Sequence, residues 1–225
     1  MANSQFWLSQ AHTGWKFFKR SVGLVALLVS FGLHAAEYEY DPKVFAFLPE
    51  WCKYTPLYHP VVPHERSAAD VQREVKRLNQ LMGPQNFKHL HHYCRGLFLV
   101  ATARYFETSK RERDRWLRDS LGEFDYVLNR VETTFALRPE ILTKKGESLA
   151  ALGRPEAVEP LQRALQAKPD YWPAYAALSD YLRDIGQVEQ ARQWLQKGLA
   201  AAPDATPLQR RLAEIDKSAA KRATR

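Results

Sequence analysis

Hydrophobic positions in the second half of the chain recur at steps of three and four. In the stretch 172–204, Tyr175, Leu178, Leu182 and Ile185 form one such stripe, and Val188, Ala191, Leu195 and Leu199 form a second. This spacing puts side chains on one face of an α-helix, so each stripe predicts a helix with one buried side. Gly186 between them predicts a helix end, because glycine takes the left-handed capping conformation at little cost. Pro203 predicts the next end, since proline lacks an N–H and clashes with the preceding turn. From Pro169 to Pro203 is 34 residues. The preceding stretch, 139–170, repeats the plan with Leu142, Gly146, Leu149, Gly153, Ala157, Leu161, Ala164 and Pro169.

Two helices per unit, repeated in phase, predict an all-α solenoid of stacked helix hairpins, because each hairpin buries its apolar side against the next. The unit resembles the tetratricopeptide repeat. Matching positions are Tyr175 at the first aromatic site, Leu178 and Leu182 in the first helix, Gly186 in the turn, Ala191 and Leu195 in the second helix, and Pro203 at the end. Ser179 stands where the family usually has Gly, and Gly198 where it usually has Ala; both are small. The turn 153–157 is one residue shorter than the family pattern. Pro207–Ile215 fits a closing helix, with Leu208, Leu212 and Ile215 on one side and charge on the other. The resemblance implies a face lined by first-helix residues that binds a protein partner, with Thr143, Glu147, Asp180, Arg183, Asp184 and Arg210 at the contact positions. It implies an interaction module rather than an enzyme, with no catalytic residues and no cofactor.

Upstream the pattern is degenerate. Leu90, Cys94, Leu97, Phe98, Ala101 and Tyr105 form a helical stripe, and Gly96 sits where the repeat's small residue belongs. Leu117, Leu121, Phe124, Leu128 and Val131 form the next. Residues 86–138 therefore read as a divergent first repeat whose helices are lengthened by the charged run 108–115. Ser67–Met82 predicts a further helix, with Ser67 as N-cap and Val71, Val75, Leu78 and Leu81 inward. The domain reading has five parts: 1–36 a signal segment, 37–66 an irregular stretch rich in proline and aromatics that wraps the first helices, 67–138 a helical region with the divergent repeat, 139–215 the repeats and closing helix, and 216–225 a basic tail.

The N-terminus changes the picture. Lys16, Lys19 and Arg20 precede the uncharged stretch Ser21–Ala36, the order of a secretory signal. A stable membrane span needs roughly 20 apolar residues, and this stretch is shorter, which favours cleavage. Cleavage after Ala35 or Ala36 would place Leu33 or His34 at the −3 position, neither of them small, so an uncleaved signal anchor stays open. Either way the expectation is an exported bacterial protein in the periplasm, with inner-membrane association through residues 21–36 if the segment is retained. Without those three cations the formal charge of +8 falls to +5, mild for a chain of this length. No aromatic–basic recognition motif is visible, so nucleic acid is not an expected partner. With 45% apolar residues the chain can build a core, and two cysteines exclude both a disulfide-dense mini-fold and a four-cysteine zinc site.

Both cysteines and five of the seven histidines lie within residues 52–94. Three readings stand side by side. Cys52 and Cys94 form a disulfide, as an oxidising compartment allows. Alternatively, Cys52, His89, His91, His92 and Cys94 supply ligands to a metal or haem, with His59 or His64 adding to them. On one helix, however, His89 and His92 share one face while His91 and Cys94 share another, so all four cannot meet one ion. The third reading is plain packing of free thiols, of which a Cys–His nucleophile pair is a minor case. No CxxCH, HExxH, GxSxG or glycine-rich phosphate loop is present. The functional expectation is a non-enzymatic scaffold or adaptor in the bacterial cell envelope, binding an envelope protein or peptide segment through the repeat groove. Its rival is a metal- or haem-handling periplasmic protein using the cysteine–histidine cluster.

Overall fold

The computed structural model describes residues 41–60 and 62–223. The expected signal segment 1–36, with the question of its cleavage, lies outside them, as do the last two residues of the basic tail. All regular structure among the described residues is helical, and none of these helices is long and apolar enough to cross a membrane.

The elements in order are α1 (Pro42–Phe45), a 3-10 turn (Glu50–Tyr54), α2 (Ala68–Met82), α3 (Pro84–Phe87) and α4 (Leu90–Ala101). Then follow a π-helical turn (Thr102–Phe106), α5 (Lys110–Leu128), α6 (Arg138–Ala151), a 3-10 turn (Pro155–Ala157), α7 (Val158–Ala167), α8 (Trp172–Asp184), α9 (Val188–Ala201) and α10 (Thr206–Ala223). Helices α4–α5, α6–α7 and α8–α9 are hairpins stacked in series, and α10 closes the stack against α8 and α9. Gly153 and Gly186 end α6 and α8 with φ of +68° and +81°, the left-handed conformation that lets the chain reverse.

In the first two hairpins a glycine on the first helix sets how closely the second can approach. A Cβ on Gly146 of α6 would lie 2.5 Å from Leu161 Cγ of α7, and a Cβ on Gly96 of α4 would overlap the ring of Phe124 of α5. The α4–α5 pair thus uses the same packing device as α6–α7. Phe124, Ile141, Leu161, Leu178, Leu195 and Leu208 are fully buried along one core that runs through all three hairpins. Each such side chain contributes on the order of 2 kcal/mol of burial free energy. A second core joins Val44, Phe45, Leu48, Tyr58 and Val62 to Phe98 and Ala101 of α4.

Several sequence expectations shift in register. Ser67 caps α2 as expected, accepting the Asp70 N–H at 3.2 Å, and Val71 and Leu78 point inward. Leu81, however, is 70% exposed, and Met82 packs against the core instead. Tyr105 was expected on the inner stripe of α4 and is 55% exposed. The cause is the π turn: the Glu107 N–H donates to Thr102 O at 3.0 Å, closing a turn one residue wider than an α turn. The extra residue rotates everything after it off the stripe. Ile185 sits one position past the end of α8 and is also exposed. The described residues of the stretch 37–66 hold two short helical turns where no element was expected, and α10 runs on past Ile215 to Ala223, so the start of the basic tail is helical. The charged run 108–115 is the start of α5, with Ser109 as its N-cap.

Candidate partner-binding groove

First-helix residues of the second and third hairpins face a common groove of about 560 Å³. Glu140, Lys144 and Glu147 stand on α6 at steps of four and three, one helical face; Pro173, Ala177, Asp180 and Asp184 do the same on α8. Arg211 of α10 completes one wall, Arg104 reaches in from the π turn, and Tyr171, Trp172 and Tyr181 supply aromatic surface. Trp172 is 38% exposed, a large apolar ring left open to a ligand.

The groove carries charge of both signs, most of it paired internally. Lys144 Nζ lies 3.0 Å from Glu147 Oε2. Arg211 grips Asp180 through Nε (3.0 Å) and Nη2 (2.9 Å) to the same oxygen. Arg183 lies 3.3 Å from Asp180 and 3.7 Å from Asp184. Glu140 accepts a 2.6 Å hydrogen bond from the hydroxyl of Tyr93, a fully buried residue of α4. Burial, then the Glu140 charge, pushes the Tyr93 phenol well above its ordinary value, so it stays a donor. The Tyr171 phenol is raised for the same reasons, with Glu147 adding to them.

Of the six residues expected in the groove, Glu147, Asp180 and Asp184 line it. Thr143 does not: it is 1% exposed and donates its hydroxyl to Pro139 O at 2.8 Å. Lys144 stands where Thr143 was expected. Arg183 is outside the lining and reaches it only through its ion pairs with Asp180 and Asp184. Arg210 points to solvent, and its neighbour Arg211 takes the role. Thr143 and Arg210 each miss the lining by one residue, which is about 100° of helix rotation. Stepping by three and four from Glu147 would have found Glu140 and Lys144; nothing in the sequence flags Arg104, whose position depends on the π turn.

The cysteine–histidine segment resolves into a staple. Cys52 and Cys94 form a disulfide, with Cα atoms 5.7 Å apart and both residues fully buried. It ties the stretch after α1 to the middle of α4, inside the second core. The five candidate metal or haem ligands are therefore not brought together. Cys52 and Cys94 spend their thiols on each other. His92 Nδ1 pairs with Glu123 Oε2 of α5 at 2.6 Å, beside Arg95 Nε, which is 3.1 Å from the other oxygen. His91 stacks near His92 with ring centroids 4.3 Å apart, and His89 lies edge-on to Tyr126. Burial, reinforced by the neighbouring His92 charge, lowers the His91 imidazole to about 4, and burial lowers His89 as well. Among the described residues, no three His, Cys, Asp or Glu side chains converge as a metal site would require. His64 takes part in the packing instead, bonding through Nε2 with His59 O at 3.0 Å and stacking on Tyr54.

No curated protein and no solved structure matches the chain. A family model described as "Tetratricopeptide repeat" matches residues 150–215, from the last turn of α6 through α7, α8 and α9 into α10, so this segment is similar to a repeat family whose members generally mediate protein–protein interaction.

Proposed function

We propose that this protein is a non-enzymatic adaptor of the bacterial cell envelope that holds an extended segment of a partner protein in the groove between α6, α8 and α10. One observation carries the reading. The first-helix faces of two consecutive repeats leave an open, mixed-charge trough in which the exposed ring of Trp172 stands beside half-buried Pro173 and Ala177. Apolar rings flanked by fixed charges suit an extended peptide, which offers backbone polar groups and alternating side chains. The order of charged and apolar residues in the first 36 positions supports a location in the periplasm, with membrane association through residues 21–36 if that segment is retained.

The test is site-specific photo-crosslinking in the exporting host. A photoreactive residue at Trp172 should capture a partner, and one at Gln196, exposed on the opposite helix α9, should not. Reversing charge with Lys144→Glu and Asp184→Lys should reduce the capture at Trp172. Equal capture from both positions, unaffected by the reversals, would sink the groove reading. Intact mass of the recovered chain reports whether residues 1–36 are removed.

A further inference from the structure

A second cavity of about 250 Å³ opens off the groove, sharing Arg104, Glu147 and Ala151 with it. It lies between the π turn after α4, the start of α5 and the outer half of α6. Its apolar lining is Val100, Ala103, Leu117 and Ala151. Its charges are Arg104, Lys110 and Arg113 against Asp114 and Glu147. Both carboxylates already have cations. Lys110 Nζ is 2.6 Å from Asp114 Oδ2, and Lys144 Nζ is 3.0 Å from Glu147 Oε2. The Lys110 hydrogen bond, with the Lys110 charge and more distant arginines behind it, holds the Asp114 carboxyl below its ordinary range.

Two guanidiniums are left over. Arg113 Nη1 donates to Thr108 O at 3.2 Å, a neutral acceptor, and neither Arg104 nor Arg113 has a carboxylate within ion-pair distance among the described residues. Arg104 is there because the wide turn carries it round to the cavity. A guanidinium presents a planar fork of N–H donors that matches a carboxylate.

We propose that this cavity takes an acidic side chain of the partner segment bound in the groove, its methylenes against Leu117 and Ala151 and its carboxylate between Arg104 and Arg113. The proposal rests on the groove reading above and adds to it a fixed direction: the acidic residue of the ligand lies at the α4 end, and the segment runs from there along α8. The site is sized for a side chain and opens sideways from the trough, so the source is an internal Asp or Glu rather than a chain end.

The experiment is an NMR titration of the arginine-labelled protein, purified from its exporting host, following guanidinium and backbone signals. The probe is N-acetyl-glutamate N-methylamide; the comparators are its glutamine counterpart and N-acetyl-leucine, which carries a chain-end carboxylate. The glutamate probe should shift the Arg104 and Arg113 signals and saturate at about millimolar concentration, as suits a ligand of so few atoms. The glutamine probe should not. Arg104→Gln, at an exposed position, should weaken the glutamate probe about tenfold. No shift, equal shifts with glutamine, an unchanged affinity in Arg104→Gln, or tighter binding of N-acetyl-leucine would each overturn the assignment. If the glutamate probe fails while capture at Trp172 remains charge-sensitive, only the cavity assignment falls and the groove reading stands.

Discussion

Arg211 of the closing helix holds Asp180 of α8 with two nitrogens, Nε at 3.0 Å and Nη2 at 2.9 Å from one carboxylate oxygen. The same guanidinium donates to Pro207 O at 3.2 Å through Nη1, so it is fixed at both ends. Both side chains are less than a third exposed. The pair therefore fastens α10 to the last repeat and forms part of the groove wall at once. Arg211→Gln should lower stability by about 1 kcal/mol, read as a drop in the urea midpoint. It should also speed amide exchange in α10 more than in α6. Unchanged exchange in α10 would mean that the apolar contacts of Leu208 and Ile215 alone hold the helix.

Two glycines should respond to alanine with opposite sign. A Cβ on Gly198 of α9 would come within 2.7 Å of Leu208 Cδ1 and 2.8 Å of Tyr175 Cγ, both packed core atoms. Gly198→Ala, although it restores the residue common in the repeat family, should cost about 1–3 kcal/mol through overpacking. Gly122 of α5 has open space around its Cβ position. Gly122→Ala should add about 0.5–1 kcal/mol, because alanine loses less backbone entropy in a helix. Thermal melts of the two variants check both signs.

Reduction of Cys52–Cys94 should loosen one region selectively. The bond spans 42 positions, and closing a loop of that size restrains the unfolded chain by roughly 4 kcal/mol on the entropy model. Without it, residues 41–60 are held by the second core around Val44, Phe45 and Phe98 and by Tyr54 and Trp51, which pack on the main core. Hydrogen exchange after reduction should rise in 41–60 and in α4, with α8 and α9 little changed. The unreduced protein should be lighter by two hydrogens, and a full-weight pair of thiols in protein purified without reductant from its native host would contradict the staple.

Stability should fall as the solution is acidified through the histidine range. Folded His91 stays neutral down to about 4, whereas its ordinary value is 6.5. Between these values the unfolded chain binds the extra proton, so stability is fully present above 6.5 and declines as pH drops towards 4. His89, also lowered by burial, adds to the same slope. Replacing His91 with Gln should flatten the difference between urea midpoints measured at about pH 7 and about pH 5. An identical pH profile in wild type and His91→Gln would show that His91 is not the group responsible.

The apolar period of three and four was enough to place α6 to α9, because those stripes are local and each hairpin needs the same buried face. Gly186 and Pro203 likewise mark their ends through backbone chemistry that no neighbour can alter. The groove was legible only in outline. Whether Thr143 or Lys144, Arg210 or Arg211 faces the groove depends on how far each helix is rotated, and that is set by what packs on its other side. Gly146 against Leu161 and Leu208 against Gly198 fix those rotations, and both are contacts between helices. The π turn that swings Tyr105 outward and brings Arg104 to the groove leaves no mark in the hydrophobic period. The choice among disulfide, metal site and free thiols was equally closed to the sequence. It turned on whether the chain after α1 folds back onto α4, which the apolar contacts of Phe45, Tyr58 and Phe98 decide. The sequence determined the hairpins because helix pattern is one-dimensional; the tertiary structure decided the sites because they are made where helices meet.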